Sequence, residues 1–85
     1  MLILYVLTGC PYCVHVQRAF ADIHVTYDER NVADVVHRQA LVTHGGKSQV
    51  PYLIDEEHGV AMYESQDIIK YVRGLCDASL ASPTP

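Results

Sequence analysis

Eighty-five residues give room for one small domain with one modest core, and no length for a second folded unit of ordinary size. Apolar residues make up 49% of the chain and charged residues 19%, a balance that fits a globular protein and excludes a disordered one. The formal net charge of −4 comes from dispersed acids, and without a Lys/Arg cluster to neutralise a phosphate backbone, nucleic-acid binding is not expected.

The first stretch, LILYVL at residues 2–7, is continuously apolar and rich in strand formers, the pattern of a strand buried on both faces of a partly parallel sheet. It is too short to span a bilayer and lacks the basic flank and cleavage site of a secretion signal. Met1 is therefore expected to be a true start, and the protein to be cytoplasmic with no membrane association. Gly9 ends the strand. From Pro11 the period changes: Cys13, Val16, Phe20 and Ile23 recur at helical spacing opposite Gln17, Arg18 and Asp22, which predicts an amphipathic helix whose first turn suits Pro11. HVTYDE, residues 24–29, alternates Val25 and Tyr27 with polar neighbours and reads as a second strand, parallel to the first across a right-handed crossover.

Asn31 is a suitable cap for a second helix through Val35, Val36, Ala40 and Leu41, stopped by Gly45-Gly46 and followed by the loop KSQVP. PYLID (51–55) and GVAMY (59–63) predict two short antiparallel strands about a polar turn. Ser65 is placed to cap a third amphipathic helix, with Ile68, Ile69, Val72, Leu75 and Cys76 on its apolar face. DASLASPTP, residues 77–85, reads as a flexible C-terminal tail after a domain of residues 1–76. The order β-α-β-α-β-β-α describes a four-stranded mixed sheet with helices on both faces.

Three cysteines do not make a disulfide framework, and in a reducing compartment a close pair is more often catalytic or metal-binding than structural. Cys10, at the start of a helix, faces unpaired backbone N–H groups and the positive end of the helix dipole. Both favour a thiolate, so Cys10 is the expected nucleophile. Cys13, nearly one turn on, is placed to attack a mixed disulfide on Cys10 and release the reduced substrate, as the more buried resolving thiol. Cys10, Cys13 and His15 also offer metal ligands. A structural zinc site needs a fourth ligand, usually from a second close pair, and the histidines at 15, 24, 37, 44 and 58 show no repeated ligand spacing. Redox chemistry is the favoured reading, and no metal is expected.

Cys-Pro-Tyr-Cys after one strand, Val50-Pro51 before the third, and the element order over residues 1–76 resemble the dithiol glutaredoxins of the thioredoxin-like superfamily. The resemblance implies a thioredoxin-like fold, glutathione as electron donor and co-substrate, and reduction of protein disulfides and glutathione mixed disulfides, in the service of cell redox homeostasis. It also implies a cis Pro51 beside the cysteines, with the backbone of Val50 pairing to glutathione like an added strand. Tyr12 would flank the thiols, and Arg38, with Gln39, would hold the glycine carboxylate of glutathione. Glu64 and Ser65 would receive its γ-glutamyl end at a helix start.

MYESQDI is similar to the Glu-Ser pair in the N-terminal domains of glutathione transferases, where glutaredoxins usually carry a Gly-Gly-x-Asp-like segment. Leu7, Thr8 and Gly9 include no basic residue, although the glutaredoxin family has one before its motif. Lys47 is an alternative cation, though a solvated loop lysine is its ordinary reading. Gln49 replaces the family's usual Thr and is assigned no role. The expected partners are glutathione and disulfide-containing or glutathionylated proteins, and a monomer is expected. Two alternatives stand: a redoxin reduced by thioredoxin reductase, and a glutathione-binding or cluster-binding module without turnover.

Overall fold

In chain order the elements are β1 (Leu2–Val6), α1 (Pro11–Asp22), β2 (Asp28–Asn31), α2 (Val35–Gly45), β3 (Tyr52–Asp55), β4 (Val60–Met62) and α3 (Ser65–Ala81). The computed structural model describes the backbone of residues 2–81 and the side chains of residues 2–75. The strands form one sheet in the order β2-β1-β3-β4. β1 runs parallel to β2 and antiparallel to β3, and β3 is antiparallel to β4. This is the β-α-β-α-β-β-α mixed sheet that the sequence predicts.

The strand period of two explains why LILYV is apolar throughout. Leu2, Leu4 and Val6 point to one face, where they meet Leu53 of β3, Cys13, Val16 and Phe20 of α1, and Ile68 and Val72 of α3. Ile3 and Tyr5 point to the other, with Tyr52, Ile54 and Leu41 of α2. Both faces of β1 are thus covered, and all five of its residues are buried.

Several boundaries differ from the sequence reading. The second strand is DERN, four residues later than HVTYDE at its start. His24 adopts a left-handed backbone at φ 55°, its N–H donates to Ala21 O at 3.2 Å, and the Val25 N–H reaches back to Phe20 O at 3.1 Å. That pair of bonds is the Schellman ending of α1, so residues 24 and 25 close a helix instead of opening a strand. The alternation of Val25 and Tyr27 has another cause: both pack onto the α1 side of the core, Tyr27 edge-on to Phe20 with ring centroids 5.0 Å apart.

Asn31 is the last residue of β2 and does not cap α2; the cap is Asp34, whose carboxylate accepts the Val36 N–H at 2.9 Å. Leu41 faces the sheet, packed with Ile3, Tyr5, Tyr52 and Ile54, while Val35 and Val36 in the first turn stay exposed. Gly46 does end α2, in the left-handed region at φ 86°. The Ile68 N–H donates to Glu64 O at 2.9 Å, which makes Glu64 the boundary residue of α3 and Ser65 its first helical residue rather than its cap. α3 continues past residue 76 to Ala81, through the start of the expected tail, because Asp77–Ala81 contains no helix breaker before Pro83. The Cys76 side chain and residues 82–85 lie outside the described residues. No described helix is long and apolar enough to cross a membrane.

Candidate active site

Cys10 occupies the N-cap of α1 with an extended backbone, φ −78° and ψ 118°, and Pro11 fills the first helical position. Gly9, at φ 87°, turns the chain from β1 into the helix. The Cys10 N–H donates to Leu7 O and its carbonyl accepts from the Val14 N–H, each at 3.1 Å, so the backbone at Cys10 is held on both sides. The Cys10 side chain makes no capping bond. The first-turn N–H groups, which lack intrahelical acceptors, therefore act on the half-exposed sulfur as dipoles. Asn31 donates to the Thr8 hydroxyl at 2.8 Å, tying the end of β2 to the turn that leads into Cys10.

Cys13 is 1% exposed, in the core with Val16 and Phe20. Burial pushes its thiol up to about 11; a backbone hydrogen bond at Leu7 offsets part of this, while the Cys10 side chain and its charge add to the rise. Both cysteines are free thiols. The pair therefore combines an accessible sulfur at a helix start with a buried neutral one a turn below it.

The Val50–Pro51 peptide is cis, as the resemblance implies, and Val50 packs against the same core cluster as Cys10. A cleft of about 320 Å³ is lined by Tyr12, Gln49, Val50, Pro51, Tyr63, Glu64 and Ser65. Five of the six residues expected to touch glutathione thus converge: Tyr12, Val50, Pro51, Glu64 and Ser65. Tyr12 is 65% exposed and lines this cleft. Arg38 is not brought in. It is an exposed residue of α2 outside the cleft lining.

Sequence reasoning missed Tyr63 and left Gln49 without a role, although both line the cleft. The signal for Tyr63 was its place directly before Glu64-Ser65. Its hydroxyl accepts from the Lys47 N–H at 3.1 Å and donates to Lys47 O at 3.2 Å, and the Lys47 ammonium lies 5.7 Å from its ring centroid. A cation thus stands beside the cleft from the loop, where Arg38 was expected to supply one from the helix. A larger groove of about 940 Å³ lies against α2, with Val36, Gln39, Thr43 and His44 in its lining. Neither lining includes a cysteine; the smaller cleft is the one that holds the cis-proline and Tyr12, the residue between the two cysteines, so chemistry and not volume identifies the site.

Residues 4–79 match the family model described as "Glutathione S-transferase, N-terminal domain". No curated protein matches the chain. Among solved structures, a glutathione transferase homologue from Sulfitobacter with bound glutathione superposes with a TM-score of 0.74 at 23% identity. That match covers 100% of this chain and 41% of the other. A glutathione S-transferase from the Antarctic clam Laternula elliptica gives 0.75 at 23%, covering 89% of this chain and 35% of the clam enzyme. A thioredoxin-like protein gives 0.74 at 24%, covering 88% of this chain and 99% of that one. The chain therefore spans less than half of either transferase and nearly all of the thioredoxin-like protein, and these likenesses establish a thioredoxin-like fold. Together with the match over residues 4–79, they place the chain in the glutathione S-transferase N-terminal domain family.

Proposed function

We propose that this domain is a glutathione-dependent thiol–disulfide oxidoreductase, a glutaredoxin in activity, acting in the cytoplasm on disulfide-containing and glutathionylated proteins. The observation that carries the reading is the half-exposed Cys10 at a helix start, one turn from a buried neutral Cys13 and beside a cis-proline cleft. The Cys10 thiolate attacks a substrate disulfide, forming Cys10–S–S–substrate and expelling the other sulfur as a thiolate. Cys13 then gives up its proton and attacks the Cys10 sulfur, which releases the second substrate thiol and leaves a Cys10–Cys13 disulfide. Two glutathione molecules return the pair to the dithiol and leave as glutathione disulfide. When the substrate is a glutathione mixed disulfide, glutathione itself resolves Cys10.

Charge on Cys10 opposes ionisation of Cys13. Burial is the larger obstacle and persists, but the mixed disulfide neutralises Cys10 and removes the part of the opposition that comes from its charge, which eases attack by Cys13 after the first step. In the cleft, glutathione would lie extended along Val50, its γ-glutamyl end at Glu64, Ser65 and the start of α3. Its glycine carboxylate would lie toward the Lys47 ammonium. The bound glutathione of the Sulfitobacter homologue supports this choice of ligand.

A second reading, reduction by thioredoxin reductase, is favoured by the neutral Leu7-Thr8-Gly9 stretch and by the likeness to a thioredoxin-like protein of matching length. Paired turnover assays decide between them. The first reading expects NADPH consumption with glutathione plus glutathione reductase, and little with thioredoxin reductase alone. The opposite pattern would overturn it, and turnover in neither assay would leave a glutathione-binding module.

A further inference from the structure

We propose that Tyr63 is a positioning residue for glutathione, clamping the loop after α2 so that the two walls of the cleft keep one spacing, and that Gly45 is small because the clamp needs its space. The proposal rests on the glutathione reading above.

Tyr63 lies between the end of β4 and the start of α3, next to Glu64, and its side chain reaches back to the loop after α2. Its single hydroxyl engages both backbone groups of Lys47, accepting the N–H at 3.1 Å and donating to the carbonyl at 3.2 Å. A loop residue here receives the pair of bonds that a neighbouring strand would otherwise supply. The clamp sits three residues before Val50, whose backbone is the expected glutathione partner. One wall of the cleft, Gln49 to Pro51, is thereby tied to the other, Glu64 and Ser65.

The ring packs against Tyr52 at a tilt of 37°, with centroids 4.3 Å apart. Tyr52 is in turn buried at 3% exposure and hydrogen-bonded through its hydroxyl to His44 Nδ1 at 2.7 Å. Gly45 completes the device. A Cβ there would collide with the Tyr63 hydroxyl and lie 2.9 Å from Tyr63 Cζ and 3.0 Å from Tyr52 Cζ. Gly45 is not among the left-handed glycines, so its requirement is for space and not for backbone freedom. In a helix, glycine is ordinarily a cost relative to alanine, and here that cost accompanies close approach of an aromatic ring. The same ring holds the Lys47 ammonium beside the cleft by its negative face.

Two variants remove the clamp by different routes. Tyr63→Phe keeps the ring and its stack and deletes both bonds; Gly45→Ala displaces the same hydroxyl. The expected result for Tyr63→Phe is a five- to tenfold rise in KM for glutathione with kcat within twofold of wild type, and at least tenfold faster amide exchange at Lys47. Gly45→Ala should reproduce both, and the double variant should be no worse than the poorer single one, since one contact cannot be lost twice. An unchanged KM in Tyr63→Phe, a fall confined to kcat, or multiplying effects in the double variant would overturn the proposal. Failure of the wild type to use glutathione would instead overturn the functional reading; Lys47 exchange, measured without ligand, would then still decide whether the clamp exists.

Discussion

At the residue scale, Cys13 is 1% exposed against Val16 and Phe20, whereas Cys10 is partly exposed at the start of α1, and the roles proposed for them rest on that difference in surroundings. Cys10→Ser should abolish turnover with every disulfide substrate. Cys13→Ser should lose reduction of protein disulfides yet keep removal of glutathione from mixed disulfides, because glutathione can resolve Cys10 directly. Turnover by purified Cys10→Ser at the wild-type rate would refute the mechanism. Burial is the largest cause of the raised Cys13 thiol and persists when Cys10 is replaced. In Cys10→Ser, alkylation of Cys13 should therefore rise with pH to a midpoint above the ordinary thiol value of about 8.5. A midpoint at or below that value would show that the thiol is not held in the core.

At the element scale, Asp55 ends β3 and joins the β3–β4 turn to α3. It is buried at 2% exposure and accepts hydrogen bonds from Tyr71 Oη at 2.5 Å, His58 Nδ1 at 2.7 Å and the His58 N–H at 3.3 Å. Burial alone would raise its carboxyl, but the bonds from Tyr71 and His58 together outweigh burial and hold it below the usual carboxylate range. A carboxyl lowered on folding contributes stability above its unfolded value of about 3.9, and that contribution is lost as pH falls through the lower folded value. Urea midpoints measured from pH 5 downward should therefore drop more steeply for the wild type than for Asp55→Asn. At pH 7 the variant should be less stable by about 2 kcal/mol, the order of hydrogen bonds to a charged group. Parallel acid limbs in the two proteins would remove Asp55 from this role. The helix starts and stops were legible where side chains signal them locally, as at Pro11 and Gly46. They failed at His24, where a histidine takes the left-handed position usually given to glycine, and the tertiary packing of Val25 and Tyr27 imitated a strand's alternation.

At the scale of the whole molecule, the core titrates at its alkaline end. Burial is the first cause of the rise at Cys13 to about 11 and at Tyr71 to about 12, and it raises Tyr27 and Tyr52 as well. Groups raised on folding contribute stability in full below their unfolded values, about 8.5 for the thiol and 10 for the phenols. They lose it as pH rises through the folded values. The reduced protein should keep its urea midpoint up to about pH 8.5 and lose stability from pH 9 to 12. The Cys13 part of that loss should be absent in Cys13→Ala. Equal loss in both proteins over pH 9 to 11 would contradict this.

By itself the sequence determined the element order, the mixed sheet and the dithiol at a strand-to-helix turn. These follow from patterns within a few residues of one another: a continuous apolar run, a change of period at Pro11, and the close pairs Cys10 with Cys13 and Val50 with Pro51. Only the tertiary structure decided that Arg38 stays outside the cleft, that Lys47 stands beside it, and that Tyr63 reaches the loop after α2. It also decided that Asp55 meets Tyr71 across 16 residues. The physical reason lies in the sheet order: β1 lies between β2 and β3, so residues remote in the chain become neighbours, and no local period of side chains records who those neighbours will be.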